Sequence, residues 1–368
     1  MKSTFTIIWL VSAVLAARTQ SLELPSEPCR EWLAGKTGRD MLLSACETTA
    51  GAWAAAGWTT QGANGGEDIL LLVAKNSLDS LRSYQLGRQG DDRALSVQPA
   101  FDGSLLVAGY STKPPSRYPA SKRYGGKRDG WLLFLSENGQ AQREILRGGP
   151  DDDVFVSAFA LPLGGYLVCG NYGAQAWVIS FAPDGETLWE RKWQYHGLYT
   201  QITHAALQPD GTLGLTGWVM DKEQKNMLWT TIDPAGERIA EHIFPQSEAT
   251  DGGRIIALPD GGWGICGAAE DEVLRSNGIF YRLNARGLVE AYRSFGGREA
   301  DQLHDIGLLY NGKIALAGSS KSFSRGSRRD RAWLLFEEED DDWEEIFFGS
   351  KMDDAALFIT PTRQGFIT

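Results

Sequence analysis

Histidine and cysteine are scarce in this chain, four of each in 368 residues. So few histidines leave little material for a histidine metal centre, and no His-Glu-x-x-His pair, nucleophile elbow or phosphate-cradling glycine loop occurs. Helical periodicity is missing as well: past the first twenty residues, no stretch repeats its apolar residues every three to four positions. No later apolar run is long enough to span a bilayer as a helix. Positive charge is outweighed, 36 Lys and Arg against 47 Asp and Glu, and a net charge of −11 argues against nucleic acid as a general partner.

Glycine and tryptophan are plentiful instead, 43 and 13 residues, which suits tight turns joining short aromatic-rich strands. One phrase organises them. Phe101-Asp102-Gly103-Ser104-Leu105-Leu106-Val107-Ala108-Gly109 is a turn, an apolar strand and a closing glycine. It returns with closing glycines at Gly170, Gly217, Gly267 and Gly318, and in looser form at Gly57. These glycines lie 52, 61, 47, 50 and 51 residues apart. Strand-turn-strand units at a period of about 50 signal a repeat architecture.

Each full unit holds four strand-like pieces, with second-hairpin turns at Asn138-Gly139, Asp184-Gly185, Ala235-Gly236 and Arg286-Gly287. Four antiparallel strands per unit define an all-β fold, a β-propeller. First strands are expected near Met41, Arg93, Val154, Gln201, Arg254, Leu303 and Ala355, making seven blades with the last incomplete. The repeats are expected near 39–90, 91–150, 151–197, 198–247, 248–298 and 299–350. The partial seventh, 351–368, would gain the segment 29–38 as its outer strand and still lack a third strand. Residues 1–20 read as a secretory signal peptide: a positive start, an apolar stretch from Phe5 to Ala17, and small residues Ala16 and Ala17 for cleavage. Residues 21–368 then form one exported propeller domain, secreted, periplasmic or held at the cell surface.

The Asp-Gly turns, the closing Ala/Cys/Thr-Gly pairs and their spacing resemble the secreted bacterial β-propellers with WD-repeat-like or quinoprotein-like blades. The resemblance covers about residues 29 to 368 and implies architecture. Asp184-Gly185-Glu186-Thr187-Leu188-Trp189 looks like a quinoprotein blade phrase, yet it occurs once where that family repeats it, so no cofactor is expected.

The candidate contact residues lie in two long connections between second and third strands. Ser111 to Asp129 carries Lys122, Arg123 and Tyr124, and Ser319 to Arg331 carries Arg328 and Arg329. In an acidic protein these make a cationic, aromatic-containing rim suited to an anionic glycan or an acidic protein patch. Binding or protein interaction is therefore the expected function; the alternative is a propeller enzyme, a polysaccharide hydrolase or lyase or a quinoprotein-like oxidoreductase, with its site at the channel mouth. Cys29 and Cys46 flank the junction of last and first blades and are a candidate disulfide, since export permits oxidation. Cys169 and Cys266 share one repeat position with Ala56, Ala108, Thr216 and Ala317, as small packed residues. His204 and His304 stand one position out of register and should face different sides. Asp40, Asp92, Asp153, Asp251, Asp301 and Asp354 precede first strands, where a carboxylate can hold backbone N–H groups between blades or, alternatively, a cation.

Overall fold

The computed structural model describes residues 5–11, 30–34, 38–48, 51–62, 66–74, 80–112, 128–244, 251–270, 276–323, 329–339, 342–349, 353–362 and 365–368. The chain is a β-propeller of four-stranded antiparallel blades. Six blades come from continuous chain. Their first strands are Asp40–Glu47, Asp92–Pro99, Asp153–Ala160, Tyr199–Leu207, Asp251–Ala257 and Asp301–Leu308. Their second strands begin at Trp53, Leu105, Tyr166, Leu213, Trp263 and Ile314. Second and third strands are buried almost throughout, whereas the outer fourth strands alternate toward solvent, as in Thr187–Trp193.

The expected count of seven blades is corrected to six. The closing four-stranded sheet is a composite of both chain ends, in the order Arg30–Ala34, Phe5–Val11, Gly365–Ile367, Thr360–Thr362. The C-terminal segment supplies only two strands of three residues each, too short to make a blade by themselves. The third-strand position, expected to be empty, is taken by Phe5–Val11, part of the apolar stretch read above as a leader. Backbone and side-chain bonds fasten the C-terminal segment between its neighbours. Ala356 N–H donates to Gly318 O at 3.0 Å, and Thr360 Oγ1 donates to Ala45 O at 3.0 Å.

One local device recurs in all six blades. The first strand bulges at the same place, after Leu42, Ala94, Phe155, Ile202, Gly252 and Leu303, so that an extra residue stands opposite the second strand. The bulge presses a carbonyl onto the closing glycine. A Cβ built at Gly57, Gly109, Gly170 or Gly217 would lie 1.8 to 1.9 Å from the oxygen of Met41, Arg93, Val154 or Gln201. That contact, and no requirement for a turn, fixes glycine there. Glycine at the strand 1–2 turn has the other reason: Gly103 and Gly211 sit at φ of 83° and 89°, a region open to glycine.

Because strands alternate in direction, the strand 1–2 and 3–4 turns share one end of the ring, the turn face. The strand 2–3 connections and the links between blades share the other, the loop face. Gly170→Ala must push the bulged strand away and is expected to lower stability by about 1–3 kcal/mol. Urea unfolding measures it, and a change within about 0.5 kcal/mol would contradict the close contact.

Candidate binding site in the central channel

The residue after each bulge occupies one level of the central channel. Strand pairing defines it unambiguously: Ser44, Ser96, Ser157, His204, Arg254 and Asp305 stand opposite Ala56, Ala108, Cys169, Thr216, Cys266 and Ala317. Three blades carry serine at this level, and three consecutive blades carry a histidine, an arginine and an aspartate.

Side chains at this level reach the next blade. Val97 N–H donates to Ser44 Oγ at 3.2 Å, Ile255 N–H to His204 Nδ1 at 3.3 Å, and Ile359 N–H to Asp305 Oδ2 at 2.8 Å. Arg254 reaches further. Its Nη2 donates to Leu43 O in the first blade at 2.9 Å, while its Nε lies 3.7 Å from Asp305 Oδ1. The guanidinium thus braces the ring between blades 1, 5 and 6.

The electrostatics follow from burial. Desolvation, helped by the Arg254 charge, holds His204 well below the usual histidine range, so the ring is neutral. With Nδ1 accepting from Ile255, the proton sits on Nε2, leaving a donor there. Burial raises the Asp305 carboxyl while Arg254 opposes the shift. Arginine carries five N–H donors and stays charged, and among the described residues only one of them is engaged at hydrogen-bond distance, by Leu43.

Above this floor lies a cavity of about 540 Å³, lined by the outgoing halves of the first strands and reaching Tyr310 on the turn face. Its next levels are mostly apolar: Phe159, Ala206 and Ile256, then Pro99, Leu207, Ala257 and Leu308. Gln98, Thr48 and Thr360 add polar groups, and among the described residues Glu47 and Asp305 are the carboxylates of the lining. An apolar cavity of this size with a few converging polar groups is the form that small-molecule sites take.

The two histidines do face different sides. His204 lines this cavity, and His304 lines a separate crevice on the loop face, with burial bringing it down to about 4. Cys46, Cys169 and Cys266 are free buried thiols, and burial pushes Cys46 and Cys169 up to about 12. Cys29 lies outside the described residues, as do Lys122, Arg123, Tyr124 and Arg328. Arg329 is exposed on the loop face.

The carboxylates before the first strands hold the links between blades. Asp92 accepts from Arg88 N–H, Asp153 from the N–H groups of Gly149 and Gly173, and Asp301 from those of Gly297 and Ser322. Among the described residues no group of three His, Cys, Asp or Glu is placed to hold a metal. Asp129 was not singled out from sequence. It opens a third strand, is buried beside Asp153, and leaves its Oδ1 without a hydrogen-bond partner among the described residues. Arg254 and Asp305 were missed as well; counting back from each closing glycine would have exposed both as departures from serine.

No family model matches the sequence, and no curated protein matches it. Among solved structures, Sqt1 from Chaetomium thermophilum is similar at a TM-score of 0.50 and 11% identity, over 88% of this chain and 75% of that one. Puromycin hydrolase is similar at 0.51 and 14%, over 88% of this chain and 49% of its own. The WD40 domain of Neurospora crassa Pan2 follows at 0.47 and 11%, over 73% and 68%. The likeness is one of fold.

Burial, and for Asp129 the neighbouring Asp153 charge, push both carboxyls up to about 6. A raised carboxyl stabilises the folded chain below its unfolded value of 3.8, and that contribution is lost as pH rises through about 6. Asp129→Asn is therefore expected to raise Tm at pH 7.5 by about 2–4 °C and to leave it unchanged at pH 3.5. An equal effect at both pH values in calorimetry would contradict the shift.

Proposed function

We propose that this chain is an exported binding module, akin to the secreted bacterial propellers its repeats resemble, and that it holds a small ligand in its channel without transforming it. The channel level after the bulges carries this reading. The repeat needs only a small hydroxyl there, yet three neighbouring blades put His204, Arg254 and Asp305 at the floor of a cavity. One accepting atom of each is already used between blades, Nδ1 of His204 by Ile255 and Oδ2 of Asp305 by Ile359, while Asp305 Oδ1 is held beside the Arg254 guanidinium at 3.7 Å. What faces the cavity is a set of donors, which suits holding an acceptor group more than moving a proton.

Export is supported by the leader pattern of residues 1–20, with the leader retained, since Phe5–Val11 pairs with Gly365–Ile367 in the closing sheet. A second contact surface, the loop face, is supported by topology. The connections that carry Lys122, Arg123 and Tyr124 in blade 2, and Arg328 and Arg329 in blade 6, leave the ring at that one end. We propose an anionic glycan or an acidic protein patch as its partner.

A substitution that fills the channel tests the module. Ala206 occupies the level at which the third blade already holds Phe159, so Ala206→Phe suits the fold. Small acids, peptides and sugars are screened by thermal shift against both proteins. At least one class is expected to raise the Tm of the native protein and not that of the variant; equal shifts, or none for any class, would remove the channel as a ligand site.

A further inference from the structure

The channel is charged at its floor and apolar along its wall. Among the described residues that line it, Arg254 is the one lysine or arginine and His204 the one histidine, held neutral by burial. Both stand at the floor level. Arg254 gives Nη2 to Leu43 O at 2.9 Å, so its Nη1 and second Nη2 protons remain for the cavity, beside His204 Nε2–H. Asp305 flanks the guanidinium, with Oδ1 3.7 Å from Nε and Oδ2 bonded to Ile359 N–H. Phe159, Ala206 and Ile256 stand two residues above the floor, and Leu207, Ala257 and Leu308 three. Three strand residues carry this wall about 10 Å from floor to rim. Glu47 at the rim is already engaged within the chain, so the mouth demands no charge of a ligand.

We infer that the channel takes a monocarboxylate with an apolar body, its carboxylate at the floor and its body along the wall. This rests on the channel being the binding site. N–H donors converging from a guanidinium and an imidazole match the two oxygens of one carboxylate. A second ligand charge would find no cation, because the guanidinium already faces Asp305. Phosphate monoesters and dicarboxylates are thereby disfavoured. The body gains affinity by leaving water for Phe159, Ile256, Leu207 and Leu308, about fourfold for each buried methylene. Gln98 is the polar group of the middle level and can meet one hydroxyl or amide in that body.

The test uses butanoate, hexanoate and octanoate, with octanamide and octanedioate as comparators. Each is titrated calorimetrically into the full chain, Ala206→Phe and His204→Asn. Asparagine keeps an acceptor for Ile255 N–H and has no donor in the place of Nε2. Affinity is expected to rise about fourfold per methylene from butanoate to octanoate and to vanish in Ala206→Phe. Octanamide and octanedioate should bind about tenfold or more weaker than octanoate. His204→Asn should weaken octanoate about tenfold while keeping the gain per methylene, which shows the wall intact. Equal affinity for octanamide or octanedioate, or unchanged octanoate binding in His204→Asn, would overturn the carboxylate at the floor. A flat chain-length series, or octanoate binding undiminished in Ala206→Phe, would overturn the body along the wall. If no acid binds while another ligand class shifts native protein but not Ala206→Phe, the monocarboxylate assignment falls and the channel stands. If no ligand of any class does so, both fall.

Discussion

The bulge that presses a first-strand carbonyl onto the closing glycine is the contact on which the rest of the molecule depends. It lets the innermost strand lie against the second strand with no side chain between them. It also turns the following residue toward the neighbouring blade. Blade-to-blade hydrogen bonds at that level come from whatever side chain stands there: a serine hydroxyl in the first blade, an imidazole in the fourth, a carboxylate in the sixth. One backbone device thus sets packing within blades, bonding between them and the lining of the channel.

Once the bulge fixes where those side chains go, burial decides their chemistry. A guanidinium in a protein interior needs partners, and Arg254 finds them in the Leu43 carbonyl and the Asp305 carboxylate. Its reach across the channel also ties the first blade to the fifth. That matters in a ring whose closing sheet is built from both chain ends. The histidine beside it stays neutral because charging it would bury a second positive group near the first. Bracing the ring and presenting donors to the cavity are two consequences of the same residue.

Most of the fold was legible in the sequence because it is written six times. The turns, the closing glycines and the third strands recur at a period near 50, and each recurrence corrects errors in the others. The small residues at Cys169 and Cys266 were also readable, since Ala56, Ala108, Thr216 and Ala317 fill the same slot. The closing sheet was harder. It belongs to no repeat, and the pairing of Phe5–Val11 with Gly365–Ile367 joins segments from opposite ends of the chain. Arg254 and Asp305 escaped for another reason. Scanning for catalytic residue types draws attention to histidine, whereas an arginine or aspartate in an acidic, charge-rich chain is unremarkable until its level in the channel is known. The bulge hides that level, because it shifts the in-out alternation by one residue partway along every first strand.

Diffraction from crystals soaked in bromide tests the central claim most directly, since the anion's anomalous signal reports where unengaged donors face open space. The account predicts bromide at the channel floor, within reach of both Arg254 and His204 Nε2, and its disappearance from crystals of Ala206→Phe. A channel free of bromide, with the Arg254 guanidinium wholly enclosed by protein acceptors, would contradict it and leave the arginine with a bracing role alone.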